Sequence, residues 1–424
     1  MNIVDCLQAR GLVDGRTSED LNKQLDQPTK VYLGFDPTAD SLHLGNLLGI
    51  VVLRWFQKCG HTPVVLLGGA TGRIGDPSGK SKERPLLDTA TIDYNVSKIK
   101  ENFETILDFK AQNAPIFLNN NDWFSNIHLI DFLRDIGKHF RLGVMLAKDS
   151  VKSRVQSEDG MSFTEFSYQL LQGYDFYHLF SSLGVALQIG GSDQWGNITA
   201  GTDLIRKLVG KPAYGLTFPL LTKSDGTKFG KSEEGAIWLS KEKCSPYQFY
   251  QFIMQTPDSD VVKLMRMITF MDLDEIDKIQ NDMAMPGYKS NQAQRRLAEE
   301  LTKLVHGELG LAAALKVTQA AAPGSNEAVL DVAILREIAR DIPSVSLPYS
   351  EVCGTKYVDL AYRSGIVESK GEANRLIANG GAYLNNQKIT DSSLKIAVSD
   401  CIGNEFLLLG LGKKKKILVK LTSC

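Results

Sequence analysis

The chain has 424 residues and a net charge of −1, with 43% hydrophobic and 23% charged residues. This length exceeds one ordinary hydrophobic core, so we expect two or three domains, and the composition is that of an average soluble globular protein. No apolar run approaches the roughly 20 residues that span a bilayer, and the start lacks a signal peptide, so we expect a cytoplasmic protein without a membrane segment. The six cysteines and six histidines show no metal-ligand spacing, so we expect no structural metal site.

Short apolar runs alternate with helical segments in the first half of the chain. Alternation of this kind predicts an α/β fold, a doubly wound, Rossmann-like parallel sheet whose ligands bind at the carboxyl ends of the strands. The predicted strands are Val31–Phe35, Pro63–Leu67, Pro115–Leu118, Val185–Ile189 and Leu216–Leu221.

The first polar motif, Gly34–Asn46, lies between the first predicted strand and a helix predicted over Leu44–Cys59. Its polar groups gather at a helix N-terminus, where free N–H groups and the helix dipole favour an anion. Gly45 removes a side chain where a nucleotide would need close approach. Two of its polar residues, His43 and Asn46, are three positions apart and would face the same way on a helix.

The next motif is the glycine-rich segment Gly68–Ser81. Its end, Gly79-Lys80-Ser81, resembles the end of a phosphate-binding P-loop. The first glycine of a P-loop would fall at position 74, which is Ile74, and Pro85 prevents a helix from starting cleanly after Ser81. The segment is therefore not a P-loop.

The helix predicted around Ser162–Asp175 has a polar face that is separate from its apolar core stripe. Tyr168, Gln172 and Asp175 occur at i, i+4 and i+7 on that face. Such a stripe is usually solvated, but its few charges and its aromatic content also suit a half-buried pocket.

Two further motifs follow strands. Gly190–Asn197 comes after Val185–Ile189, and its Asp193 is either a helix N-cap or an acceptor for ribose hydroxyls. Lys228–Ser232 follows a Ser-Asp-Gly turn and contributes two ammonium groups that could neutralise departing phosphate charge.

The last 70 residues are basic. They contain 11 Lys and Arg against 6 Asp and Glu, which gives +5 on a chain whose total charge is −1. A basic tail on an acidic body indicates contact with a polyanion, although scatter of charge could also produce it.

Taken together, these motifs resemble a known family. Pro37–Asn46 resembles the His-Ile-Gly-His signature of class I aminoacyl-tRNA synthetases, and Lys228–Ser232 resembles their Lys-Met-Ser-Lys-Ser signature. Gly365–Ile389 resembles an S4-type RNA-binding domain. The whole pattern is similar to bacterial-type tyrosyl-tRNA synthetases. One departure is Asn46, which replaces the second signature histidine and can donate a hydrogen bond but cannot carry a charge.

The resemblance implies an activity and partners. A member of this family activates L-tyrosine with ATP and Mg²⁺ to tyrosyl-adenylate and pyrophosphate, then transfers tyrosine to the 3′ end of tRNA(Tyr). It also implies a homodimer through the catalytic domain.

The resemblance further implies site residues. Those expected to be catalytic, mainly through phosphate binding, are Thr38, His43, Asn46, Lys80, Arg84, Lys228 and Lys231. Those expected to bind tyrosine are Tyr32, Asp76, Asn120, Tyr168, Gln172 and Asp175. Those expected to bind ATP are Gly34, Asp36, Gly45, Gly191, Asp193, Gln194, Lys231 and Ser232. Those expected to contact tRNA are Lys370, Arg375, Lys413, Lys414, Lys415 and Lys416.

The expected domains follow the same resemblance. They are a Rossmann-like catalytic domain over 1–222, a signature loop and helical domain over 223–320, a linker over 321–354, and a small α+β S4-like RNA-binding domain over 355–424.

Three alternatives remain open at this point. A tryptophanyl-tRNA synthetase is the nearest, and Tyr32 with Asp175 argues against it. A small-molecule nucleotidylyltransferase could share the fold and the His43 motif but would not need the S4-like tail. A non-catalytic RNA-binding protein on a synthetase scaffold would be expected to lose its lysines and substrate residues, and these are intact except at Asn46.

Overall fold

The computed structural model describes residues 2–80, 85–158, 160–232, 235–321, 330–339, 342–412 and 415–422. It divides into two compact units. The first unit runs to Cys244 and takes in Phe252–Gly307, and the second combines Ser245–Gln251 with the chain from Glu308 onward. The first unit therefore holds residues from both the expected catalytic domain and the expected helical domain.

The first unit is organised around a six-stranded sheet of order β1-β6-β5-β2-β3-β4, in which β1 is antiparallel and the other strands are parallel. Its strands are β1 (Gly15–Arg16), β2 (Lys30–Phe35), β3 (Thr62–Leu67), β4 (Ile116–Asn119), β5 (Val185–Gly191) and β6 (Tyr214–Phe218). A two-stranded ribbon of β7 (Lys231–Ser232) and β8 (Gly235–Ala236) follows.

The helices up to β6 connect and cover this sheet. They are α1 (Ile3–Ala9), α2 (Leu21–Gln24), α3 (Leu44–Lys58), α4 (Thr89–Ile99), α5 (Asn121–Phe124), α6 (Leu129–Asp135), α7 (Leu142–Leu146), α8 (Asp149–Val155), α9 (Phe163–Leu183) and α10 (Trp195–Val209). The helices after the ribbon are α11 (Pro246–Met254), α12 (Asp258–Ile268), α13 (Leu273–Met283) and α14 (Gln292–Ala321), and α14 has a non-helical residue at Gly307.

Local sequence explains why these elements form. The strands β2 and β3 are apolar runs buried almost throughout, as expected of parallel strands covered on both faces. Helix α9 begins at Ser162, whose side chain accepts from the N–H of Glu165, and ends at Gly184 with a φ of 67°. Because β2 lies between β3 and β5, the strand order reverses there and a crevice opens at the carboxyl ends of β2 and β5.

The second unit contains a five-stranded sheet of order β11-β10-β12-β13-β9. Its strands are β9 (Ser344–Pro348), β10 (Ala382–Leu384), β11 (Gln387–Lys388), β12 (Phe406–Leu411) and β13 (Lys415–Thr422), and its helices are α15 (Val332–Ile338), α16 (Tyr349–Val352), α17 (Tyr357–Arg363) and α18 (Lys370–Ala378). Strand β9 pairs in parallel with β13, so part of the stretch expected as a linker belongs to this sheet.

Both faces of the second sheet pack against a hydrophobic core, and the alternating side chains of β12 point into one core or the other. Leu407 and Leu409 join a core with α17 and α18, whereas Phe406 and Leu408 pack with the end of α14 and with α15.

The expected fold class is confirmed: a mixed α/β unit with a parallel sheet, helical regions and a second sheet near the C-terminus. Within the part of the chain that the structure describes, no helix has the length and apolarity required to cross a membrane.

Candidate active site

A cleft of about 410 Å³ opens where the strand order reverses, a volume typical of small-molecule sites. It brings together residues from every motif of the first unit. The expected site residues that line it are Tyr32, Gly34, Asp36, Thr38, His43, Gly45, Asn46, Asp76, Lys80, Asn120, Tyr168, Gln172, Asp175, Gly191, Asp193, Gln194 and Lys228.

Asp175 lies at the closed end of the cleft. It is 2% exposed, and burial raises the pKa of its carboxyl group to about 8. One carboxylate oxygen accepts from Asn120 Nδ2 at 3.0 Å and the other from Trp123 Nε1 at 2.9 Å. These two donors oppose the effect of burial, since they stabilise the ionised form. Trp123 is held in turn by a stacked ring, His178, at a centroid distance of 4.3 Å.

Two polar atoms at this end find no hydrogen-bond partner among the described residues. They are the hydroxyl of Tyr32 and the amide oxygen Oε1 of Gln188, which stand on neighbouring strands at paired positions. Both residues are 1% exposed. Burial and then the charge of Asp175 raise the pKa of Tyr32, so its hydroxyl stays protonated. A buried hydroxyl without a partner is costly, and a ligand hydroxyl placed between Tyr32 and Asp175 would remove that cost.

The middle of the cleft is organised by Asp36, at the end of β2. Its carboxylate accepts from Tyr168 Oη at 2.9 Å and from Thr71 Oγ1 at 2.8 Å. Thr71 also accepts from Asn120, which joins this cluster to Asp175. A Cβ on Gly68 would lie 2.1 Å from the Asp36 carboxylate, so only glycine leaves room for the cluster.

A second polar cluster joins the expected amino-acid site to the expected nucleotide site. Asp76 accepts from Gln194 Nε2 at 2.7 Å, and Gln194 Oε1 accepts from Gln172 at 3.3 Å and from Asn197 at 3.2 Å. Asp76, Tyr168 and Gln172 all line the cleft, so a carboxylate, a hydroxyl and an amide are available there to a cationic group.

The side of the cleft where the nucleotide is expected is charged and more open. Asp193 follows β5, and burial and the charge of Asp76 raise the pKa of its carboxyl group, while Lys228 and Lys80 oppose that shift. The cationic residues, Lys80 and Lys228, are exposed, which fits groups that meet a solvated phosphate chain. A Cβ on Gly191 would lie 2.7 Å from the Asp193 carboxylate, so this glycine makes room for it.

The first signature forms the start of α3. His43 is the N-cap, and its Nδ1 accepts from the N–H of Gly45 at 3.1 Å. Asn46 Oδ1 accepts from the N–H of His43 at 3.1 Å and so completes a capping box. A Cβ on Gly45 would lie 2.9 Å from His43 Cε1, which gives this glycine a packing role beside the expected nucleotide role.

The second signature lies against the first. Gly230, with a φ of 92°, would place a Cβ 3.0 Å from Leu44 Cβ, and its carbonyl accepts from the N–H of Ile237 at 3.0 Å. Lys231 and Ser232 form β7, and their side chains lie outside the described part of the chain. Arg84 also lies outside the described residues.

Sequence reasoning missed three residues that line the cleft, Thr71, Gln188 and Trp238, and it missed Trp123, which donates to Asp175. Trp123 sits on the short helix α5 and Gln188 inside a strand, so no spacing distinguishes them from core residues. A signal did exist for Trp238, since it follows the second signature by a few residues; its backbone bridges to His43 and its ring lies 6.3 Å from the imidazole.

The expected tRNA-contacting residues lie in the second unit. Lys370 starts α18 and pairs with Asp359 at 2.6 Å, and Arg375 is exposed on the same helix. Lys415 is exposed on β13, whereas burial lowers the pKa of Lys416 to about 8. Lys413 and Lys414 lie outside the described residues.

The chain matches two sequence families. Residues 23–321 match the family described as tRNA synthetases class I (W and Y). Residues 335–419 match the family described as tyrosine–tRNA ligase SYY-like C-terminal domain.

Similar proteins cover nearly the whole chain. A protein of Protochlamydia amoebophila named tyrosine–tRNA ligase is 56% identical over 421 residues, which are 99% of each chain. An Arabidopsis thaliana protein named tyrosine–tRNA ligase, chloroplastic/mitochondrial, is 52% identical over 99% of this chain and 84% of its own length. Among solved structures, a C-terminally truncated mitochondrial tyrosyl-tRNA synthetase of Aspergillus nidulans is 34% identical and superposes with a TM-score of 0.66, covering 74% of this chain and 92% of its own.

Proposed function

This chain belongs to the class I tRNA synthetases of the tryptophan and tyrosine group, and we propose that it is a ligase that joins L-tyrosine to tRNA(Tyr). The first step forms tyrosyl-adenylate and pyrophosphate from tyrosine and ATP. In the second step, the terminal ribose hydroxyl of the tRNA displaces AMP and receives the tyrosine.

The observation that carries the choice of tyrosine is the buried Tyr32 hydroxyl, which lacks a partner among the described residues and lies close enough to Asp175 to feel its charge. A phenol hydroxyl placed there would donate to Asp175 and accept from Tyr32. Phenylalanine would leave the Tyr32 hydroxyl without a partner and would not supply the further hydrogen bond to Asp175, and that penalty is the physical basis of its rejection. The indole of tryptophan has a donor but no acceptor for Tyr32.

The first step requires positioning more than proton transfer. The tyrosine carboxylate is already ionised at neutral pH, so it can attack the α-phosphorus without a general base. We assign the substrate ammonium group to Tyr168, Gln172 and Asp76, which line the cleft. The attack then proceeds in line, and pyrophosphate leaves toward the exposed lysines.

ATP is assigned to the open side of the cleft. Asp193 accepts from the ribose hydroxyls, and Gly34, Asp36, Gly45, Gly191 and Gln194, which line the cleft, border the nucleotide. Ser232 belongs to the same assignment, and its side chain lies outside the described part of the chain. The triphosphate is assigned to Thr38, His43, Asn46, Lys80, Arg84, Lys228 and Lys231. Asn46 uses its amide oxygen in the capping box, which leaves its amide N–H₂ as the group that can donate to a phosphate or ribose oxygen.

Mg²⁺ is proposed as a partner of ATP. Proteins usually bind it through one or two carboxylates together with substrate phosphates. No group of three or more His, Cys, Asp or Glu side chains suited to a metal occurs in the part of the chain that the structure describes, so we assign the ion to the triphosphate. When bound, it would help to neutralise the charge of the phosphates.

The second unit is proposed to contact tRNA. Lys370, Arg375 and Lys415 present cations on its surface, and Lys413, Lys414 and Lys416 belong to the same proposal. Contacts of lysine and arginine with phosphates release counterions, so the affinity for tRNA should fall steeply as salt rises.

A homodimer is proposed through the first unit. Large apolar side chains are exposed on α6, α7 and the start of α9, which is the pattern of a surface that another protein covers. They include Leu129, Ile130, Leu142, Val144 and Phe163, with Phe163 78% exposed. Phe163→Asp should shift the mass in light scattering from two chains to one, whereas Leu309→Asp, in the second unit and 88% exposed, should not. A dimeric Phe163→Asp variant would refute this surface.

We place the reaction in the cytoplasm. The plant relative named chloroplastic/mitochondrial makes an organelle the alternative. Fractionation of the source cells, followed by immunoblotting, distinguishes the two compartments.

The proposed activity is tested by ATP–pyrophosphate exchange with tyrosine, tryptophan and phenylalanine offered separately. Exchange with tyrosine, followed by charging of tRNA(Tyr), is expected. Exchange with tryptophan would overturn the amino-acid assignment. No exchange by folded protein that still binds RNA would favour a non-catalytic RNA-binding protein.

A further inference from the structure

Helix α12 makes several contacts with the segment Thr222–Ser224, which precedes the second signature. Asp260, in its first turn, accepts from the N–H of Ser224 at 2.8 Å. Lys263 donates to the carbonyl of Thr222 at 2.8 Å, and the hydroxyls of Ser259 and Ser224 lie 3.1 Å apart. Two residues of this short segment, Thr222 and Ser224, are thus bound to the N-terminal half of one helix.

The fastened segment is one arm of a tight hairpin whose other arm carries Lys228. Thr222 bridges to Lys228 in antiparallel fashion, and the N–H of Lys223 donates to the carbonyl of Thr227 at 2.8 Å. One residue further, the N–H of Phe229 donates to the carbonyl of Leu221 at 2.9 Å. Because Lys228 is held across this hairpin, its position in the cleft depends on where the arm on α12 is fixed.

Asp260 is an unusual residue for a role in stability alone. It is 2% exposed, and its second carboxylate oxygen has no hydrogen-bond partner among the described residues. Burying a carboxylate oxygen without a partner costs free energy, and a neutral side chain of similar shape would avoid that cost. A carboxylate at the N-terminal turn of a helix is favoured by the dipole and accepts strongly from a backbone N–H, which suits a fixed anchor.

We propose that Asp260 and Lys263 are positioning residues for the adenylation step. They hold the Thr222–Lys228 hairpin on α12 and thereby set the position of Lys228 in the cleft. This inference rests on the proposed function, in which Lys228 stabilises the departing pyrophosphate. Neither Asp260 nor Lys263 touches substrate in this proposal; both act through the hairpin. A displacement of Lys228 by about 1 Å would lower the rate and leave tyrosine binding intact, since tyrosine is bound at Asp175.

The test is a double-mutant cycle in tyrosine-dependent ATP–pyrophosphate exchange. Asp260→Ala should lower kcat about tenfold without changing the KM for tyrosine. In the Lys228→Ala background the same change should cost less than about twofold, because there is no ammonium group left to position. Asp260→Asn, which keeps an acceptor oxygen, should restore most of the rate.

Two further variants keep the test independent of folding defects. Lys263→Met, at an exposed position, should lower kcat in the same direction with an unchanged thermal midpoint. Asp274→Ala removes an exposed carboxylate from the first turn of the next helix, α13, and should leave kcat unchanged.

The outcomes separate this inference from the proposed function. Equal losses from Asp260→Ala in both backgrounds, or a matching rise in the KM for tyrosine, would overturn the positioning role while the ligase activity stands. An unchanged rate in Lys228→Ala would also overturn it, since nothing would then depend on the hairpin. A wild-type protein without tyrosine-dependent exchange would overturn the proposed function itself.

Discussion

The two ends of the cleft are built in opposite ways. At the closed end, Asp175, Asn120 and Tyr32 are at most 2% exposed and stand on, or directly beside, strands and a long helix. At the open end, Lys80 and Lys228 are exposed and belong to loop segments. At the closed end, burial and the two hydrogen bonds of Asp175 fix the side chains before a substrate arrives. The open end offers charges whose positions depend on how the loops are held.

This difference follows from what each end must do. Selecting a phenol requires a fixed geometry in a low dielectric, where an unmade hydrogen bond costs most. Stabilising pyrophosphate requires positive charge that stays close to the phosphates while they leave toward solvent, so Lys80 and Lys228 lie at the surface. Substitutions at the closed end should therefore affect tyrosine recognition, and substitutions at the open end should affect the rate.

The largest effect is expected at the open end. Lys228→Ala should lower kcat for tyrosine-dependent exchange by about 10²–10³, because it removes a charge that acts mainly in the transition state. The KM for tyrosine should stay the same. Lys223→Ala removes an equal charge from the other arm of the hairpin, outside the cleft lining, and should have little effect. A changed tyrosine KM in Lys228→Ala would show that the two ends are not separate.

A smaller effect is expected from Asp175→Asn. Both carboxylate oxygens accept from donors, Asn120 and Trp123, so the amide N–H₂ of Asn would have to face one of them. Loss of a hydrogen bond to a charged group is worth about 1.5–3 kcal/mol, so above pH 8, where the carboxylate is ionised, the preference for tyrosine over phenylalanine should fall about 10- to 100-fold. Exchange kinetics with both amino acids measure it, with exposed Asp122→Asn as the control. An unchanged preference for tyrosine over phenylalanine would show that Asp175 does not recognise the phenol hydroxyl.

Tyr32→Phe should act in opposite directions on binding and on stability. It removes a hydroxyl without a partner among the described residues, so the unliganded protein should gain about 1 kcal/mol in urea unfolding, while the KM for tyrosine should rise about tenfold. Tyr357→Phe is the matched control, since that buried hydroxyl donates to the carbonyl of Tyr383 and its loss should not stabilise. A lower free energy of unfolding in Tyr32→Phe would show that the Tyr32 hydroxyl does have a hydrogen-bond partner in the unliganded protein.

The smallest effect is expected from pH. The pKa of Asp175 is about 8 in the folded chain and so lies above its ordinary value of 3.8. Its contribution to stability is present below about pH 4 and is lost as pH rises through 8. Since a phenol donates to the ionised form, tyrosine affinity measured by equilibrium dialysis should rise about fivefold from pH 7 to pH 8. Asp175→Asn should abolish this rise, and a rise that persists there would assign it to another group.

Much of the fold could be predicted from the sequence. The apolar runs of β2 and β3 and the helix α3 occur within a residue or so of their predicted ends, because long buried strands and capped helices carry strong local signals. The strand β9, within the stretch expected as a linker, was harder to predict from the sequence. It is defined by its pairing with β13, about 70 positions later in the chain, and local composition does not indicate a pairing over that distance.

The candidate site was predictable where a motif carried it and not elsewhere. The residues of the two signatures, Asp193 and the face of α9 were all named from sequence, and they line one cleft where the structure describes their side chains. Trp123 and Gln188 were missed, because a tryptophan on a short helix and a glutamine within a strand have no distinctive spacing. Gly45 was assigned to nucleotide access, and the structure adds that the His43 ring occupies the space a Cβ would need.

The placement of Ser245–Gln251 in the second unit has a consequence for synthesis and truncation. Tyr247 packs against the core formed with the end of α14, and Gln251 donates to Thr318 at 3.0 Å. These seven residues are synthesised more than 50 positions before Glu308, where the rest of the second unit begins. They can therefore reach their native packing only after that later part of the chain has been made. A shortened protein that ends before Glu308 keeps Tyr247 but lacks the apolar residues at the end of α14 against which Tyr247 packs. Separating the two units cleanly therefore takes more than a single cut.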